Sequence, residues 1–133
     1  MVTYRHFGVI GGWADGYRET KLRDGSWQVT AIIRRSKPVA SAAKMALYRA
    51  AEIAEASEQK NVNILSVKQG VLSSYSGSIG FATHSTLELV FTVTNTENAG
   101  SHCANGVQIS CVTYDAKAAL TELRPFLKFD KGN

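Results

Sequence analysis

Trp27, Val29, Ala31 and Ile33 alternate with Gln28, Thr30 and Arg34, setting one apolar face against one largely polar face, with Ile32 the exception. A period of two over this length predicts a half-buried antiparallel strand from Ser26 to Arg34. Tyr17 to Leu22 reads as its partner, because the intervening Asp24-Gly25 supplies residues that tolerate positive φ, the chemistry of a tight hairpin turn. Ser36-Lys37-Pro38 ends the strand, and a proline fits the first turn of a helix. From Val39 to Gln59 the period becomes helical. Ala43, Ala46, Leu47, Ala50, Ile53, Ala54 and Ser57 share one stripe, Tyr48 lies beside it, and Lys44, Arg49, Glu52, Glu55 and Glu58 form the wet side. The small alanines predict that this helix lies close against a sheet.

Further along, Val62 to Gln69 reads as a third strand. Gly70 to Ser85 is rich in Ser and Gly and reads as an exposed surface loop, long enough to suggest a functional role. Thr86 to Thr94 alternates most regularly, with Leu87, Leu89, Phe91 and Val93 on one side. Asn95 to Gly106 is a polar connection, and Val107 to Tyr114 reads as a last strand that pairs with Thr86 to Thr94. Asp115 is a good N-cap for a short helix carrying Ala116, Ala119, Leu120 and Leu123, which Pro125 stops. The expected fold class is α+β: a single mostly antiparallel sheet, order β-β-α-β-β-β-α, with helices packed on one face. Residues 1–16 read as an irregular N-terminal arm and residues 17–133 as one domain, with no repeat or linker.

Composition adds bounds. With 44% hydrophobic and 20% charged residues in 133, the chain is an ordinary globular one. No stretch approaches the roughly 20 apolar residues of a membrane helix. The formal net charge of +4 is mild, and the basic residues are scattered apart from Arg34-Arg35-Ser36-Lys37, so nucleic acid is not the expected partner. Gly8, Gly11 and Gly12 neither follow a strand nor open a helix, which argues against a dinucleotide loop. His6, His84 and His102 are dispersed and read as loop or arm residues. His102-Cys103 has no second pair to complete a zinc site, so no metal and no cofactor are expected. No nucleophile is marked by an adjacent base, and no catalytic residue is assigned. Arg49 and Glu52, three apart, read as neighbours on a solvated helix face.

Two features remain open. Cys103 and Cys111 lie close enough in sequence for a disulfide in an oxidising compartment, if a loop folds back, or for two separate thiols. Trp13, Tyr17, Arg34, Arg35 and Tyr75 are the candidate interaction surface. For Trp13, Tyr17 and Trp27 the competing reading is aromatic packing in the core.

Gly16-Tyr17-Arg18-Glu19-Thr20 with Leu22, Trp27 and Val29 resembles the opening hairpin of a family of small uncharacterised bacterial envelope lipoproteins. Ala46-Leu47-Tyr48-Arg49-Ala50-Ala51-Glu52 is similar to the helix of that family, and Tyr114-Asp115-Ala116 to its last strand-to-helix turn. The resemblance covers about residues 4–67 and, more thinly, the last 25 or so. It departs from the family after Lys68, where a Ser/Gly segment replaces an aromatic strand. It implies a non-enzymatic, periplasm-facing domain that binds a protein partner in a structural, sensor or assembly role. It also implies a leader with a lipid-accepting cysteine ahead of residue 1, and attachment to the outer membrane through that lipid only. Without such a leader the chain would be cytoplasmic, and a module for an anionic ligand becomes the alternative.

Overall fold

The computed structural model describes residues 2–4, 15–76, 80–95 and 113–129. The first hairpin joins β2 (Gly16–Lys21) to β3 (Trp27–Arg34) in antiparallel register, Lys21 opposite Trp27 and Gly16 opposite Ile32. Its turn forms as the Asp-Gly pair dictates. Gly25 adopts φ +90°, a left-handed conformation that a side chain would strain. The Asp24 carboxylate accepts hydrogen bonds from the Ser26 N–H at 2.9 Å and the Ser26 hydroxyl at 2.6 Å. These bonds, the hydroxyl's first, hold the Asp24 carboxyl below its ordinary pKa.

A second, longer hairpin joins β4 (Asn61–Ser76) to β5 (Gly80–Thr94). The strand order in the main sheet is β2-β3-β5-β4-β6, where β6 is Thr113–Asp115, and every pairing in it is antiparallel. A smaller, parallel pair forms a separate two-stranded sheet: β1 (Val2–Tyr4) against β7 (Leu127–Phe129). Two helices, α1 (Val39–Ala56) and α2 (Ala116–Leu123), and a 3-10 turn (Arg124–Phe126) complete the described chain. The α+β class and the mostly antiparallel sheet therefore stand.

Several boundaries and one pairing differ from the sequence reading. Val2–Tyr4 is a strand, although it falls in the segment read as an irregular arm, and β7 is an added strand. Most of Gly70 to Ser85 is not a loop but the two arms of the β4–β5 hairpin. The last strand does not pair with β5. Both edges of β5 are taken, by β3 and β4, so β6 joins the outer edge of β4, with Asp115 opposite Asn61. The rest of the segment read as that strand, 107–112, lies outside the described residues.

The core forms where apolar periods meet. Val29, Ala31 and Ile33 of β3 and Leu87, Leu89 and Phe91 of β5 are fully buried on the sheet face that α1 covers. In β4 the apolar spacing breaks between Ile64 and Val67. A β-bulge at Leu65 absorbs the extra residue, so Val62, Ile64 and Val67 all reach the core while Leu65 is exposed. Helix α1 is buried around more of its circumference than the predicted stripe, taking in Ala42, Met45, Tyr48 and Ala51. The reason is that α1 is covered twice, by the sheet on one side and by α2 with its buried Ala116 and Ala119 on another. Asp115 caps α2 as expected, accepting from the Ala118 N–H at 2.9 Å.

Helix α1 ends with a strained residue. Glu58 has φ 58°, left-handed for a side chain that gains nothing from it, and the Gln59 N–H closes the end on the Ala54 carbonyl at 2.8 Å. Glu58→Gly removes this strain and a negative charge from the helix C-terminus, against a larger unfolded-state entropy. The expected outcome is a net stabilisation of about 0.5–1 kcal/mol. Thermal melting checks it: a rise of about 2–4 °C is expected, and a lowered midpoint would contradict the strain argument.

Candidate functional site

Where β1 and β2 meet α1, six polar or aromatic side chains converge. Alternation along β2 turns Tyr17 and Glu19 toward the helix, and the helical repeat sets Arg49 and Glu52 on one face with Tyr48 beside them. The Arg49 guanidinium spans the gap, donating through Nε to Glu19 Oε1 and through Nη1 to Glu52 Oε1 at 3.0 Å. Its Cζ lies 5.1 Å from the Tyr17 ring centre, within cation–π range. One positive charge thus serves two carboxylates. The Tyr4 hydroxyl meets part of the excess negative charge by donating to Glu52 Oε1. The Tyr4 ring stacks on Tyr17 with centroids 5.0 Å apart and meets Tyr48 edge-on at 4.9 Å. Arg124, from the 3-10 turn, donates to the Tyr48 hydroxyl at 3.1 Å.

These contacts tie β1 and β2 to α1. Burial, and then the hydrogen bond to Glu52, raise the Tyr4 phenol far above its ordinary value of 10.0, and burial also raises Tyr17. Burial opposes the charge on Arg49, but hydrogen bonds to Glu19 and Glu52 outweigh it and hold the guanidinium charged. Groups with raised phenol values keep their protons near neutrality and supply no base there. They have a consequence at high pH. Below about pH 10 both folded and unfolded phenols are protonated, and stability is indifferent to them. Above it the unfolded chain ionises while the native phenols hold their protons, so stability falls by up to about 1.4 kcal/mol per pH unit for each tyrosine. Urea unfolding of wild type and Tyr4→Phe from pH 9 to 11.5 checks this: the variant's stability is expected to fall less steeply by one proton's worth. Equal slopes would contradict the assignment.

A second polar group forms where Asp15, just before β2, meets Arg34, whose side chain the alternation of β3 turns to the sheet face away from α1. The Asp15 side chain is fully buried and accepts from the Arg34 backbone N–H at 2.9 Å, from Nε at 3.4 Å and from Nη2 at 3.3 Å. It extends the ladder at the end of β3 and fixes a guanidinium that remains about half exposed. Opposite Arg34 in the β5 register stands His84, buried in a strand rather than set in a loop as the sequence suggests. Ile32, the exception in the alternation of β3, is buried on this same face.

Of the residues nominated from sequence, Arg34 and Arg35 are exposed at the end of β3, whereas Tyr17 is buried and belongs to the core rather than to an exposed surface. Trp27 is half-buried against the core, with Lys21 Nζ 5.5 Å from its ring centre. Trp13, Cys103, Cys111, His6 and His102 and the side chain of Tyr75 lie outside the described residues. Arg49 and Glu52 are not simply solvated neighbours, because Arg49 also crosses to Glu19, thirty positions earlier. The sequence assigns no site role to Tyr4, Asp15 or Glu19, and Glu19 stands out there only as part of the hairpin motif. The one available signal was that Glu19, two residues after Tyr17, must share its face.

Among the described residues no three His, Cys, Asp or Glu side chains gather closely enough to hold a metal ion, and no helix is long and apolar enough to cross a membrane. No protein-family model, no curated protein and no solved structure matches the chain.

Proposed function

We propose that this chain is the periplasm-facing domain of a cell-envelope lipoprotein, a non-enzymatic protein-binding, structural or assembly component. The observation that carries the reading is the seat of β1. Tyr4 is wedged between Tyr17 and Tyr48 and bonded to Glu52, so a tether ahead of it would join the fold at a fixed point on α1. The residue similarities of the hairpin and helix to envelope lipoproteins support the same reading. A binding surface is available in rows of half-exposed side chains on the sheet face turned from α1: Gln28 and Thr30 of β3, and Glu88, Val90 and Thr92 of β5. The anionic-ligand alternative rests on Arg34 and Arg35, and Asp15 already engages the first of these guanidinium groups.

The test uses the gene expressed from its natural start in its own host, with a photo-crosslinking residue at Thr30 or Thr92. Metabolic labelling with an alkyne fatty acid and fractionation are expected to place labelled protein in the envelope. Irradiation is expected to yield a discrete adduct with another protein. Unlabelled protein recovered from the cytoplasm would sink the proposal.

A further inference from the structure

The pairing of β1 with β7 has little to hold it by itself. Each strand has three residues, and a lone two-stranded ribbon is marginal in water. Neither strand joins the five-stranded sheet. What fastens them is side-chain contact with α1 and its surroundings. Tyr4, opposite Phe129 in the register, is buried among Tyr17, Tyr48 and Glu52. Leu127 of β7 is buried in the core, and the 3-10 turn just before it reaches the same cluster through Arg124 and the Tyr48 hydroxyl. Tyr48 therefore touches both sides of the pair, meeting the ring of Tyr4 and the guanidinium of Arg124. Removing either strand strips the other of its only backbone partner among the described strands.

We propose that β1 and β7 form a latch, two strands held on α1 as one cooperative unit by the Tyr4 ring, which open together while the five-stranded sheet stays folded and so uncover Tyr17 and Tyr48. Small segments with few backbone bonds open at lower free energy than core strands, and contiguous units open as wholes. The surface uncovered is chemically distinct: two tyrosine rings flanked by Arg49 and Arg124. This inference does not depend on where the protein resides or on what it binds.

Native-state hydrogen exchange read by mass spectrometry or NMR tests it on the full chain. Tyr4→Ala is expected to speed exchange about 10- to 100-fold in segments 2–4 and 127–129 alike. Amides in the middle of β3 and β5 should change by less than about threefold. Tyr4→Phe keeps the ring, loses the bond to Glu52, and is expected to speed both segments about tenfold and in parallel. Two results would overturn the latch in either variant: faster exchange in 2–4 with 127–129 unchanged, or an equal acceleration in β3 and β5, which would mean that the strands open only with the whole molecule.

Discussion

Phe91→Ala is expected to cost about 3–5 kcal/mol. Phe91 is fully buried at the middle of the sheet, on β5 between β3 and β4, with Trp27 on one side of its register and Ile64 on the other. Truncation removes the largest fully buried side chain among the described residues and leaves a void that the close packing of α1 cannot readily fill. Natural domains have about 5–15 kcal/mol in total, so the variant should sit near its unfolding transition. Urea denaturation at 25 °C checks this, with Phe91→Leu as the control expected to lose about 1 kcal/mol. A loss below about 2 kcal/mol for the alanine variant would mean that the site collapses, and that Phe91 is not the centre of the core.

Arg49→Met is the next largest, at about 2–3 kcal/mol. The methionine keeps an unbranched apolar stem against Tyr17 but leaves Glu19 and Glu52 facing each other without their shared cation. Both carboxylates remain partly exposed, with side-chain exposures of 23% and 33%, so water softens the loss below that of a fully buried pair. Raising the salt concentration is expected to shrink the difference between variant and wild type, since screening weakens the residual repulsion. A variant as stable as the wild type at low salt would show that the guanidinium only decorates the surface.

The parts of the fold that were readable in advance are those set by local period and turn chemistry. The alternation in Trp27 to Ile33 and in Leu87 to Phe91 names the buried face, Asp24-Gly25 names the first turn, and Asp115 names a helix start. The reading failed where tertiary pairing overrides composition. Ser73, Ser74 and Ser76 look like loop residues, yet each is paired across the hairpin, because strand propensity depends on what stands opposite. The bulge at Leu65 is likewise invisible until β5 fixes the register. The polar cluster was hidden for a different reason. Its members come from β1, β2 and α1, and Glu19 and Arg49 are thirty positions apart, so no spacing rule connects them. The helical face that looked solvated in Arg49 and Glu52 became half-buried only because β2 and Tyr4 were laid across it.

Arg49 acts as a clamp between the first hairpin and the helix, bonding Glu19 of β2 from its place on α1. A double-mutant cycle of Arg49→Met and Glu19→Gln, read by urea denaturation at neutral pH and low salt, measures that clamp directly. A favourable coupling of about 1 kcal/mol or more between the two positions is expected, with the double variant losing less than the sum of the single losses. Losses that add to within about 0.3 kcal/mol would contradict the clamp.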